Sequence, residues 1–466
     1  MEIGEHGIRV KIYWEVEIIM FLLFLLIAVF LCRGIIKNED EMSKKLFFNG
    51  LKLKILSSIM LPLVYMFYYK GGDTISYFHD GDIMRSLFWD EPSLFFDFIF
   101  NGMEEDGIIK LYKQYFRVRQ LGLDYFVFKG DERAMFVVRI AGLLLVAAGG
   151  SIFAAGFIVS LFCYLALWKV YKLFILYYPI FKRQLSYTVL YIPSVVFWGS
   201  GILKDPITLG ALCLLVFYFH AVMKKENLIR AVIWCIVSSF LIISIKPYIF
   251  NAFLIGMGCW VLSNYLVKIK SVVFRALIFP ILLALAGGLV VLSLNTFSDN
   301  TGQYSVDKVM DEAVVVQNDL KQDYYGGHRF DIGSFEPTVA GIAAKAPIAI
   351  ATTLFRPFVW EADNPFILMS ALESLVVLVF TLMALFRIKL LNLQGVLLKN
   401  PLLFFSFVFS LFFAFSVGLT TANFGALVRY KIPLMPFYLS MVYILSNYKK
   451  IPVEKKEEIV SPTFVS

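Results

Sequence analysis

Charge, histidine and patterned cysteine are what this 466-residue sequence has little of. Asp, Glu, Lys and Arg make up 17% of it, against about 25% in an ordinary soluble domain. The five cysteines (Cys32, Cys163, Cys213, Cys235 and Cys259) all fall within or at the end of apolar runs. None is spaced as a CxxC pair or a metal site, which argues against a disulfide-stapled secreted domain and a zinc module. Four histidines, His6, His79, His220 and His328, show no ligand spacing. There is no Walker sequence, no HExxH and no GxSxG, so phosphate-loop, zinc-peptidase and serine-hydrolase chemistry lack their signatures. No internal repeat is visible. No small-residue cleavage site follows the first apolar run, which is therefore expected to remain as a span.

Apolar residues fill the chain instead, at 59% with a mean hydropathy of +0.75. Runs of about 17–23 apolar residues recur, the length a bilayer requires. They predict an all-α polytopic membrane protein of about eleven transmembrane helices, with re-entrant or interfacial helices and two large outer loops. Residues 1–466 read as a single integral membrane domain. Spans are expected near residues 17–31, 53–68, 186–200, 206–222, 228–245, 249–266, 272–294, 366–386, 401–417 and 432–446. One more lies within 138–167, after an outer half-helix broken at Gly149-Gly150-Ser151. The net charge of +8 reflects basic cytoplasmic loops, Arg33 to Lys54 and Lys169 to Arg183 among them, that orient the spans. It does not imply nucleic acid as a partner. Residues 70–137 form the first outer loop, with amphipathic helices at Ser93–Phe100 and Asp106–Phe116 lying on the bilayer surface. Residues 295–345 form the second, helical from Ser305 to Gln322. Ala346 to Trp360 reads as a re-entrant or interfacial helix, and residues 447–466 as a cytoplasmic tail.

Under this topology the residues that could carry chemistry gather on the outer face. Asp73 follows Gly71-Gly72 at the mouth of the second span, with His79, Asp80 and Asp82 further along the same stretch. A carboxylate there can act as a general base toward a hydroxyl. With Asp80 or Asp82 it can instead hold a divalent ion, and it can equally serve as a helix cap. Lys204-Asp205 and Lys246-Pro247-Tyr248 occupy two tight outer turns. Each lysine suits a phosphate, while a self-neutralising Lys204–Asp205 pair or a snorkelling Lys246 also accounts for them. Arg356 and Glu361 sit in an aromatic, proline-bearing segment, Phe355-Arg356-Pro357-Phe358-Val359-Trp360-Glu361. That segment suits either a pyrophosphate clamp or an interfacial aromatic belt with an Arg–Glu pair. Asn423 and Arg429 precede Pro433 and Pro436 at the mouth of the last span. The predicted mid-membrane zones carry almost no ionisable residue, unlike those of ion-coupled transporters.

Several motifs together resemble bacterial O-antigen and exopolysaccharide polymerases of the Wzy/EpsG kind, themselves similar to the GT-C membrane glycosyltransferases. They are Gly71-Gly72-Asp73-Thr74 with Tyr77, Phe197-Trp198-Gly199-Ser200-Gly201-Ile202-Leu203-Lys204-Asp205, Lys246-Pro247-Tyr248, Arg356-Pro357-Phe358, and Asn423 through Pro436. The resemblance spans roughly Tyr69 to Phe437. It implies glycan transfer from a polyprenyl-phosphate or pyrophosphate donor to an acceptor hydroxyl at the outer face of the bacterial inner membrane. Asp73 would then match the outer-loop acid of GT-C enzymes, and Arg356 and Arg429 the outer-face arginines of the polymerases. In GT-C enzymes that acid usually follows the first span, whereas Asp73 follows the second.

The mechanism expected on these grounds is direct displacement. Asp73, helped by Asp82, takes the acceptor proton, and Lys204, Asp205, Lys246, Tyr248, Arg356, Glu361, Asn423 and Arg429 hold the phosphate and sugar. No cofactor is expected, the divalent ion at the acids remaining the alternative. The partners are a polyprenyl-linked glycan, the lipid bilayer and other envelope glycan assembly proteins. A lipid-linked glycan flippase or export subunit would use the same cations, and a non-catalytic envelope scaffold would use none of them.

Overall fold

The computed structural model describes residues 2–3, 10–101, 126–266, 329–333, 338–388 and 390–451. The expected helices at Asp106–Phe116 and Ser305–Gln322, the expected span 272–294 and most of the tail lie outside the described residues. What is described is almost wholly helical. The only strands among the described residues are Glu2–Ile3 and Val10–Lys11, paired antiparallel.

In chain order the helices are α1 (Trp14–Ile35), α2 (Glu41–Leu63, extended by a π-turn over Val64–Tyr68), α3 (Asp73–Asp90) and α4 (Pro92–Asn101). There follow α5 (Glu132–Ala147), α6 (Ile152–Tyr177), α7 (Lys182–Val189), α8 (Pro193–Trp198), α9 (Lys204–Met223), α10 (Leu228–Ile245) and α11 (Pro247–Leu266). The last are α12 (Val339–Phe355), α13 (Pro365–Ile388), α14 (Leu390–Lys399), α15 (Pro401–Thr420), α16 (Phe424–Tyr430) and α17 (Met435–Ser446). Seven of these are long and apolar enough to cross a membrane: α1, α2 with its extension, α6, α9, α10, α13 and α15. The chain is thus an all-α protein with multiple membrane-crossing helices.

Two expected spans take another form. Residues 186–200 do not make one helix. Pro193 has no N–H to offer the preceding turn and disfavours helical geometry at Ile192, so α7 stops at Val189 and α8 starts afresh. Toward the end of the chain, α17 is a 12-residue helix that begins only at Met435, with Pro436 in its first turn. Lys44, Lys45, Lys52 and Lys54, expected in a cytoplasmic loop, all lie on α2. Lys54 is fully buried.

The chain forms two compact units. The first comprises Met1–Trp168, Val196–Leu215 and Val232–Lys246. In it α3 packs tightly on α5 because glycines meet side chains at the crossing: Gly81 lies against Ala141 and Leu145, and Gly142 against Met84. Gly149 and Gly150, both at positive φ, turn the chain between α5 and α6, where the sequence breaks at Gly149-Gly150-Ser151. Most of α1 is exposed, as a lipid-facing helix is. Glu17, Ala28 and Cys32 are its buried residues, and Glu17 accepts from Ser151 Oγ and from the Ile152 and Phe153 amides at the start of α6, each amide 3.2 Å away. A carboxylate on the open amides of a helix N-terminus is a favourable way to keep charge inside a membrane protein.

The second unit comprises Lys169–Val195, Val216–Ala231 and Pro247–Ser466. At its centre α15 packs on α11 and α12. Phe405, Phe409 and Phe413 stack along one face of α15, with Trp260 of α11 against Phe405 at 5.2 Å. On another face Gly418 meets the Ala349 backbone of α12. There Thr353 Oγ1 donates to the Ala414 carbonyl at 2.7 Å. Small residues at such a crossing let backbones approach, the usual currency of helix association in lipid.

Candidate functional site

The expected site residues divide between the two units. In the first, Gly72 has φ +91 and swings the chain off the π-turn, and Asp73 is then the first residue of α3. Its half-buried carboxylate belongs to the first helical turn, where negative charge is favoured. Asp82, two turns on, accepts from Arg85 Nε at 2.6 Å. Between them sit His79 and Asp80, which have no firm role in the sequence-based expectation. Asp80 is completely buried and accepts from the Val127 and Phe128 amides at 3.0 and 3.1 Å, tying the 126–130 turn to α3. It also meets His79 Nδ1 at 2.9 Å.

Lys204 and Asp205 do not neutralise each other. Lys204, at the start of α9, reaches Asp131 at 2.8 Å. Asp131 caps α5 by accepting from the Ala134 amide. Burial pushes the Asp131 carboxyl up, but Lys204 and the helix amides outweigh it and hold the group below its ordinary range. Asp205 pairs instead with Lys246 at 2.5 Å, and both are buried. Three oxygens receive the Lys54 ammonium in the turn before α9: the carbonyls of Gly199 and Val196 at 2.7 and 3.3 Å, and Ser200 Oγ at 3.5 Å. Carbonyls at a helix end carry partial negative charge, so α8 offers a lysine a fitting terminus. The Gly201 amide, at φ +77, donates to Ser160 Oγ. These contacts set where α9 begins, and hence where Lys204 and Asp205 stand.

In the second unit Tyr248 is half-buried and stacks on Phe413 at 5.8 Å. Arg356 is the best-fixed cation there. Its Nε lies 3.1 and 3.2 Å from the two Glu361 carboxylate oxygens, and Nη2 donates to the same carboxylate. Glu361 also accepts from the Phe358 amide at 2.8 Å. The rings of Phe330 and Phe424 lie 5.0 and 5.2 Å from the guanidinium carbon, within range for cation–π attraction. Asn423 accounts for the position of Phe424, because its side chain caps α16 through the Gly425 and Ala426 amides. A short bridge between Arg329 and Asn423 brings Phe330 alongside. Arg429, half-buried, occupies the last turn of α16.

Lys431 has no role in the sequence-based expectation, yet it is fully buried beside this arginine. Its Nζ donates to the Arg356 carbonyl at 3.0 Å and to Ser374 Oγ at 2.8 Å, and Ser374 donates to the same carbonyl at 3.2 Å. Burial pushes the Lys431 amine down to about 8, with the nearby Glu373 opposing that fall. Glu373 in turn accepts from the Ser194 amide and hydroxyl at 2.8 and 2.6 Å. A lysine flanked by aromatics and prolines gives no sequence signal of burial, whereas Glu373 within an apolar run does signal a protein-facing position.

The arrangement offers fixed cations and hydrogen-bonded acids. Among the described residues no three His, Cys, Asp or Glu side chains converge as metal ligands do. No protein-family profile, curated protein or solved structure matches this chain.

Proposed function

We propose that this protein is an integral membrane glycosyltransferase of the polysaccharide-polymerase type. It moves glycan from a polyprenyl-phosphate-linked donor to an acceptor hydroxyl at the outer face of the bacterial inner membrane. The observation that supports this most is the state of Arg356. Its Nε and Nη2 edge is taken by Glu361, two adjoining aromatic rings lie within cation–π range, and its carbonyl is taken by Lys431 and Ser374. The Nη1 hydrogens have no acceptor among the described residues, and the side chain keeps 20% of its surface. A structural Arg–Glu pair needs none of this bracing. A cation that must stabilise charge developing on a departing phosphate benefits from all of it, since no reorganisation is then required during the reaction.

Lys204 has a similar character, held by Asp131 yet partly open. The acids of α3 supply candidates for the acceptor proton. The donor arrives already linked to its lipid, so the absence of a nucleotide-binding motif is consistent with the chemistry. The basic loops, read by the positive-inside rule, support an outer placement for these residues.

Complementing a deletion strain with Arg356→Ala and Arg356→Lys tests this. At wild-type protein levels both variants should leave single repeat units or unextended lipid-linked glycan, with Lys recovering little because it cannot match a planar, two-pronged contact. Normal long-chain glycan from both would rule Arg356 out.

A further inference from the structure

We propose that His79, oriented by Asp80, is the group that takes the proton from the acceptor hydroxyl. This rests on the transfer reaction proposed above and replaces its general assignment to the α3 acids with one atom. Asp80 has no exposure and accepts two backbone amides, Val127 and Phe128, as well as His79. A carboxylate so engaged is an acceptor toward its neighbours, so the hydrogen at the 2.9 Å contact with His79 belongs to Nδ1. That fixes the tautomer: in neutral His79 the lone pair is on Nε2. Nε2 has no partner among the described residues, and it is not sealed from the surface although the side chain is 7% exposed.

The other acids of α3 are placed less well for the task. Asp82 is held in an ion pair by Arg85 at 2.6 Å, so one of its oxygens is already engaged. Asp73 is half-buried in the first turn of the helix, where a carboxylate complements the positive end of the helix dipole. His79, by contrast, combines an oriented ring, an available nitrogen and a buried anion that stabilises the imidazolium it would become.

In the step, the acceptor oxygen bonds to the anomeric carbon as Nε2 takes its proton. The bond from that carbon to the phosphate oxygen breaks, and its electron pair leaves on the polyprenyl phosphate. The products are the extended glycan, the lipid phosphate anion and a protonated His79, which returns its proton to water.

The test uses full-length protein in liposomes, with the lipid-linked glycan that accumulates in cells lacking the protein as donor and acceptor. His79→Asn keeps an N–H toward Asp80 but has no base in place of Nε2. It should bind the donor as wild type does while kcat falls on the order of 10²- to 10⁴-fold. Added imidazole should restore part of the rate to His79→Ala, a recovery that a purely structural role would not give. Transfer kept by His79→Asn but lost in Arg356→Ala would overturn the His79 assignment alone. A wild-type protein that transfers nothing would overturn both.

Discussion

At the scale of single residues, this protein handles buried charge by giving each group a defined counterpart. Glu17 sits on helix amides, Lys54 on helix carbonyls and Asp80 on turn amides, while Asp205 and Lys246 hold each other. The last case has a measurable consequence. Removing one member of a buried ion pair strands the other, at a cost of about 3–5 kcal/mol, whereas replacing both with apolar residues is often close to neutral. Asp205→Asn and Lys246→Met should each lower the melting temperature in detergent sharply, and the Asp205→Leu/Lys246→Met double variant should recover much of the loss. Single variants that melt with wild type would show that the pair contributes nothing. The sequence made these residues visible as candidates but not as partners. Lys204 and Asp205 are neighbours in the chain, yet each finds its counterpart elsewhere, Asp131 for one and Lys246 for the other. Sequence adjacency on a helix does not set side-chain adjacency.

At the scale of elements, apolar periodicity located most helices, since a span announces itself by length and composition. The pattern failed where backbone chemistry interrupts an apolar run, as Pro193 does between α7 and α8. It failed again at Lys54, where a charged residue enters a span because the end of α8 supplies its oxygens. No property of Lys54 itself signals that partner, which is more than a hundred residues away along the chain. Close helix contacts were equally hidden. A Cβ on Gly418 would run into the Ala349 carbonyl of α12, and backbone cannot swing aside as a side chain can. Gly418→Ala should therefore push α12 from α15 and cost about 1–3 kcal/mol, the usual range for overpacking. Thermal unfolding of the purified variant checks this, and a melting temperature equal to wild type would mean that the crossing has room for a methyl group.

At the scale of the whole molecule, a multi-span helical protein has two compact units, and each carries one set of the residues expected to act. The first holds the acids of α3 with His79, Lys204, Asp205 and Lys246; the second holds Arg356, Glu361, Asn423 and Arg429 with Lys431 behind them. Charge patterning singled out the polar turns because polar residues are scarce in such a chain. It could not separate a cation that meets a ligand from one that meets a carboxylate, since both need the same residue at the same kind of turn. Arg356 meets a carboxylate on one edge and is open on another, and only the proposed function gives that open edge a ligand.

The central claim is glycan transfer from a lipid carrier, and the most direct measurement is stoichiometric. Purified protein in liposomes would be supplied with polyprenyl-linked repeat units, following glycan length and released polyprenyl phosphate together. The account predicts one lipid phosphate released for each repeat unit added, with both abolished in Arg356→Ala. Unchanged glycan length with no lipid phosphate released, from well-folded wild-type protein, would contradict it.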